Sequence, residues 1–187
     1  HTYQESVLIE GTLYVTTYTG GADTGSLELI APDIAVSGTI NGNGRGYRGE
    51  QNYQEGPGCG GYPSGGGGYG GVGGVRVGGG SGGAAYGTQN GTDIQMGSGG
   101  GDTGGALYGG GNGGACVVLR ADDITISGQV TANGTAGLSS SFSAGGASGG
   151  GLLSALYPTT LQRRFASAGF GMGPAIRGAR RGAGLRR

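Results

Sequence analysis

Apolar residues alternate with small or polar ones along three stretches of the chain. These are VLIEGTLYVTT (7–17), LELIAPDIAVSGTINGNG (27–44) and VVLRADDITISGQVTANG (117–134). Ile34, Val36 and Ile40 of the second are matched by Ile124, Ile126 and Val130 of the third. Period-two alternation of β-branched residues predicts half-buried strands. Gly11, Gly38 and Gly128 interrupt the runs, so each stretch is expected to form two short strands with a corner between them.

The second and third stretches align without a gap at an offset of 90 residues, 27 falling on 117. They share Ala31/Ala121, Asp33/Asp123, Ser37-Gly38/Ser127-Gly128 and Asn43-Gly44/Asn133-Gly134. Such a repeat predicts rungs of a β-solenoid, each coil burying its apolar face on the next. A small antiparallel sheet is the other arrangement this alternation allows. A further copy is expected over 150–169, where Leu152, Leu153 and Leu161 take strand positions. Arg163 and Arg164 fall where an apolar and a small residue belong, so the copy is degenerate.

Between the two aligned copies lies a segment almost without side chains. Glycine supplies 53 of the 187 residues. Ordering glycine costs more backbone entropy than ordering any other residue, so a fold here must rely on backbone hydrogen bonds. Polar Gly-rich tracts are ordinarily flexible linkers. Over 58–82, however, Gly recurs every third residue, at 58, 61, 67, 70, 73, 79 and 82, interrupted at Ser64 and Arg76. Three per turn is the polyproline II repeat, and Gly at every third position lets such helices touch backbone to backbone. Tyr47, Tyr53, Tyr62, Tyr69, Tyr86 and Tyr108 are spread through the tract and suit a sealing or surface-binding role. The fold class expected is all-β: short β-solenoid-like strand repeats carrying a glycine-rich polyproline II helix bundle, with very little α-helix. The chain divides into N-terminal rungs (1–44), a Gly/Tyr-rich insert (45–114), a repeated rung (115–136) and a final part (137–187). That final part holds a Ser/Gly linker, the degenerate copy and an Arg-rich tail.

Charge sharpens this division. The eleven acids balance eleven Arg, and Lys is absent. Residues 163–187 carry seven Arg and no acid, whereas 1–162 carry four Arg and all eleven acids. The tail is therefore either a solvated appendage or a partner for the acidic body. No run approaches the roughly 20 apolar residues of a membrane helix. The first residue is His1, as removal of a secretory leader or simple trimming would leave it.

The residue inventory narrows the chemistry. A phosphate-binding P-loop needs Lys. With a single His, a Ser/His/Asp triad would have to use the terminal His1, and a Cys/His zinc site lacks ligands. Cys59 and Cys116 are either two free thiols or, in a secreted chain, a disulfide. Closing that long loop would stabilise the fold by about 4 kcal/mol in the chain-entropy model. Asp33, Asp122 and Asp123 fall at or beside equivalent repeat positions, where they end strands, cap turns or form a weak Ca²⁺ site. No other cofactor is expected. Asn90-Gly91-Thr92 and Asn133-Gly134-Thr135 match the N-glycosylation sequon. Arg45 and Arg48 neighbour Tyr47 and Tyr53, a weak single-strand-binding pattern on an acidic body, so nucleic acid is not the expected partner.

The ordered set EGTLYV, SGTINGNGRGY, GPG, a Gly/Tyr tract, GGAAYG, GSGGG, GNGGACVVLRADDITISGQVTANG and GGASGGG resembles a widespread group of secreted Gly-rich proteins, over about residues 5–151. These alternate β-helix-like strand units of the form TLTVNGTISANGG with Gly-rich inserts, mainly in bacterial surface proteins. Similar glycine helix bundles occur in tail-tip adhesins of some phages and in a receptor kinase ectodomain. The group has no established catalytic residues, so the resemblance implies none here. The Arg-rich end departs from its pattern. The expected function is a non-enzymatic, extracellular or cell-surface structural protein that self-assembles into a fibre or surface layer through stacked β edges. The alternative is a surface or phage-type adhesin that binds glycans through its tyrosines.

Overall fold

The computed structural model describes residues 1–49, 55–75, 79–88, 93–102 and 109–137, and the backbone of 152–156. Nine strands occur among them: β1 (Val7–Ile9), β2 (Thr12–Tyr14), β3 (Ser26–Ile30), β4 (Asp33–Val36), β5 (Thr39–Asn41), β6 (Cys116–Ala121), β7 (Asp123–Ile126), β8 (Gln129–Thr131) and β9 (Leu152–Leu156). No helix occurs among the described residues. The strands form three small parallel sheets, ordered β1-β4-β7, β2-β5-β8 and β3-β6-β9. Every pairing is parallel, which sets aside the antiparallel sheet.

The 90-residue offset is the register of these pairings. Asp33 pairs with Asp123, Ile34 with Ile124 and Val36 with Ile126, while Ile40 pairs with Val130. The first stretch stacks on the second, Val7 against Ile34 and Leu13 against Ile40. Successive passes thus place like residue on like, and the inward side chains form one core. Ile34, Val36, Ile40, Val117 and Leu119 are almost wholly buried at its centre, with Leu29, Val15 and Val130 around them.

The corners repeat as the sequence indicates. Ser37 and Gly38 both donate to Ile9 O, at 2.9 and 2.8 Å, and Thr39 donates to Gly11 O at 2.8 Å. One pass on, Ser127 and Gly128 both donate to Val36 O at 2.9 Å, and Gln129 donates to Gly38 O at 2.9 Å. The corner needs glycine for a steric reason. A Cβ on Gly38 would lie 2.1 Å from Gly11 O, and one on Gly128 only 1.9 Å from Gly38 O. Gly11 sits on the outer pass, where a Cβ would meet nothing within 4 Å.

Two features exceed the sequence reading. The runs LELI and CVVLRA form strands of a third sheet, separated from β4 and β7 by short turns. Pro32 lies in one of these, and its carbonyl accepts from Asp122 and Asp123 at 2.9 and 3.3 Å. The N-terminal residues occupy that sheet's position in the first pass, Tyr3 donating to Ile30 O and Ile30 to His1 O. Of the degenerate copy, β9 pairs with β6, Leu152 against Val117 and Leu153 against Val118. Leu161, Arg163 and Arg164 lie outside the described residues.

The insert between β5 and β6 has neither helix nor strand among its described residues, but its runs are joined by backbone hydrogen bonds. Gly60 donates to Gly99 O (3.0 Å), Gly61 to Ser81 O (2.8 Å), Gly73 to Gly83 O (2.8 Å), Gly83 to Gly66 O (2.9 Å) and Gly100 to Gly111 O (2.9 Å). Gly113 donates to Tyr47 O at 2.9 Å and Ala115 to Gly42 O at 2.8 Å, which anchors the insert where it leaves and rejoins the strands.

The corner glycines give a direct test. Gly38→Ala and Gly128→Ala are each expected to destabilise the fold by about 1–3 kcal/mol, the usual cost of overpacking. Gly11→Ala is expected to be neutral or to stabilise by up to about 1 kcal/mol, through the lost entropy of the unfolded chain. Thermal denaturation followed by circular dichroism separates the two outcomes.

Candidate functional site

Stacking brings together residues far apart in sequence on the outward face of the β2-β5-β8 sheet. Tyr14 and Asn41 are register partners, as are Asn41 and Thr131. Tyr14 is 58% exposed because β2 is an edge strand. Arg45 follows β5 and places its guanidinium carbon 5.0 Å from the Tyr14 ring centroid. Its Nη1 donates to Val15 O at 2.9 Å and to Thr17 Oγ1 at 3.0 Å, so the guanidinium is fixed independently of the ring. Beside it runs an amide ladder: Asn43 N–H donates to Asn41 Oδ1 at 3.0 Å, and Asn133 N–H to Asn43 Oδ1 at 2.8 Å. This face offers one open aromatic ring, one oriented cation and side-chain amides.

The arginines differ in their partners. Arg48 holds Glu55 through two bonds of 2.9 Å, Nε to Oε2 and Nη2 to Oε1. Those bonds hold the Glu55 carboxyl below its ordinary value of 4.5. Arg120 pairs with Glu28 at 2.7 Å. Arg45 has no carboxylate partner among the described residues.

The tyrosines singled out in the sequence take different positions. Tyr47 packs edge-on against Tyr18, with ring centroids 5.0 Å apart, and Tyr69 against Tyr86 at 5.1 Å. Burial pushes the Tyr47 and Tyr69 phenols above their usual range. The Tyr86 hydroxyl donates to Met96 O and accepts from Ser98 Oγ at 2.9 Å. Ser98 Oγ in turn accepts from Gly58 N–H at 2.9 Å inside the insert. These three tyrosines are therefore half-buried seals between glycine runs. Tyr62 is 61% exposed. Tyr53 and Tyr108 lie outside the described residues.

Cys59 and Cys116 are free thiols in the structure. Cys116 is buried, its Sγ lies 3.7 Å from Ile94 O, and burial pushes its thiol up to about 11. Asp33 and Asp123 are register neighbours, and Ser6 Oγ donates to Asp33 Oδ2 at 3.1 Å. Asp122 lies between β6 and β7. Among the described residues, no three carboxylate, thiol or imidazole groups converge on a metal-sized site. Asn133 is exposed, whereas its sequon partner Thr135 has its hydroxyl bonded to Asn112 N–H at 2.9 Å. Asn90 lies outside the described residues. No described helix is long and apolar enough to cross a membrane. Neither a protein-family model, a curated protein nor a solved structure matches the chain.

Sequence reasoning placed surface binding on the insert, passed over Tyr14, and weighed Arg45 only beside Tyr47 and Tyr53 as a weak single-strand-binding pattern. The signal was available: aligning 7–17 with 34–44 sets Tyr14 opposite Asn41, four residues before Arg45.

Two measurements follow from these geometries. Because the thiolate is the reactive form, a thiol reagent at neutral pH should modify half-buried Cys59 in the folded chain, and Cys116 only on unfolding. Glu55 has a depressed folded-state value, so its contribution is present above 4.5 and lost as pH falls through the lower folded value. An acid titration of stability should therefore drop in that window for the native chain, and less steeply for Glu55→Gln. The effect should be modest, since the pair is partly solvated.

Proposed function

We propose that this chain is a non-enzymatic, extracellular structural protein: a short β-solenoid that carries a glycine-rich polyproline II bundle and self-assembles into a fibre or surface layer. The observation that carries the reading is the open edge of the first pass. Leu13 occupies the inward position that Ile40 and Val130 fill in the next passes. Ile40 and Val130 are 0% and 7% exposed, Leu13 36%. Leu8 on the same edge is 60% exposed. Among the described residues no strand pairs with the outer side of β1 or β2. Unpaired strand edges recruit further strands, and a head-to-tail contact that does not close generates filaments.

The polyproline II part rests on the spacing of close approaches. A Cβ at Gly58, Gly67, Gly73 or Gly82 would lie 2.3, 2.5, 2.0 or 1.8 Å from a neighbouring carbonyl oxygen. Gly65, Gly68, Gly80 and Gly83, one phase over in the three-residue repeat, stand at 2.0, 2.3, 2.0 and 1.8 Å. Gly60, outside both phases, stands at 2.0 Å, and Gly70 is open; glycine at recurring positions lets three-per-turn helices touch backbone to backbone. The extracellular part rests on the resemblance of the motif order to secreted Gly-rich proteins. The non-enzymatic part rests on an inventory of one His and no Lys.

A second reading, a surface or phage-type adhesin that binds glycans, is favoured by the open Tyr14 ring beside Arg45.

Negative-stain micrographs of the full chain over a concentration series should show uniform filaments. Leu13→Lys should leave single particles with thermal melting shifted by only a few degrees, because a charge on an edge blocks strand addition. Compact particles from the native chain at every concentration would remove the fibre reading. Filaments that dissolve at high salt would assign the contact to the Arg-rich tail.

A further inference from the structure

The outward face of the β2-β5-β8 sheet carries three features that point to one ligand chemistry. The Tyr14 ring has one face under Arg45, while the residue remains 58% exposed. Hydrogen bonds to Val15 O and Thr17 Oγ1 use Nη1 of Arg45, leaving the Nε and Nη2 N–H groups for another acceptor. The Asn41 and Asn43 side-chain oxygens are spent on backbone N–H groups, at 3.0 and 2.8 Å. Their amide N–H donors have no hydrogen-bond partner among the described residues.

We propose that Tyr14, Arg45 and Asn41 form a binding site for an acidic sugar, a hexuronic acid unit of a polysaccharide. This rests on the adhesin reading and gives it a ligand class. The apolar face of the sugar ring stacks on Tyr14, as aromatic faces with a polar edge allow. Because Arg45 covers the other face of the Tyr14 ring, the carboxylate that accepts from its free N–H groups is that of the neighbouring hexuronic acid unit. A guanidinium matches a carboxylate in a planar, charge-assisted pair, stronger than a neutral hydrogen bond. A sugar hydroxyl accepts from the Asn41 amide. The other described arginines already hold carboxylates, Glu55 on Arg48 and Glu28 on Arg120. A single unpaired cation matches a single carboxylate per unit. Nucleic acid fits less well, because dense phosphates require several cations and residues 1–162 carry eleven acids against four Arg.

The test is a titration of the full chain with trigalacturonic acid, with a neutral glucose trimer and with a single-stranded oligonucleotide. Tyrosine fluorescence serves as readout, since the chain has no Trp. Saturable binding of the galacturonate trimer is expected, at least about tenfold tighter than the glucose trimer, as one charge-assisted hydrogen bond supplies. Arg45→Gln should remove that preference, and Tyr14→Ala should weaken binding of both sugars by about tenfold or more. Tyr14→Phe keeps the stacking ring and should bind as the native chain does, which separates ligand loss from misfolding. Added salt should weaken only the acidic sugar. Equal binding of both trimers would overturn the acidic class and leave the adhesin reading standing. Binding of neither would overturn both. Tighter binding of the oligonucleotide, or galacturonate binding unchanged in Arg45→Gln, would overturn the assignment to this site.

Discussion

One contact governs both halves of this molecule: a backbone carbonyl oxygen placed where a Cβ would otherwise be. At the corners it is Gly11 O against Gly38 and Gly38 O against Gly128. In the insert it is Gly61 O against Gly80 and Gly73 O against Gly82. Removing the Cβ lets one backbone approach another closely enough for N–H groups to reach carbonyls directly, without a side-chain layer. The entropic cost of ordering glycine is offset by those bonds, since each buried polar group needs a partner. High glycine content here belongs to a packed arrangement and is no sign of looseness.

Stacking in register follows from that tolerance and sets the chemistry of the surface. Parallel pairing places each side chain beside its counterpart one pass away, which makes ladders. Ile34 on Ile124 continues the core, Asn133 on Asn43 continues a turn, and Asp123 on Asp33 brings like charges together. Where the ladder ends, at β1 and β2, residues of core type emerge into solvent. Exposure of Leu13, whose counterparts Ile40 and Val130 are buried, is thus a property of its place in the stack, whereas Tyr14 stands on the outward face in line with Asn41 and Thr131.

Much of the fold was legible in the sequence because stacking repeats residue types. Ser37-Gly38 and Ser127-Gly128 marked both corners, and the 90-residue offset was the strand register. The third sheet was harder to read, because Leu27–Ile30 and Val117–Arg120 share apolar character but few identities, and Pro32 hides the turn that follows. Of the candidate site only Arg45 was singled out, and with other neighbours. Tyr14 and Arg45 are 31 positions apart (45 − 14), and only the closure of one pass on the next brings them together. The tyrosines were expected either to seal or to bind at the surface, and which of them do which was not legible, since a tyrosine that seals glycine runs and one that faces solvent look alike in one dimension. The three-residue glycine phase was visible.

Nearly all variation in the length of a pass falls at one corner; the turn before β1 is one residue longer than its counterpart before β4. The spacing from Val7 to Leu13 equals that from Ile34 to Ile40 and from Ile124 to Val130, and the turns after β3 and β6 are equally short. What differs is the path from β2 to β3, from β5 to β6 and from β8 to β9: residues 15–25, 42–115 and 132–151. Large insertions therefore fall between the β2-β5-β8 sheet and the β3-β6-β9 sheet. Segments of widely different length are accommodated at that corner while the strands keep their register. Such a frame can exchange its displayed segment without relearning how to fold, because the ladder that specifies the core never includes the residues that leave it.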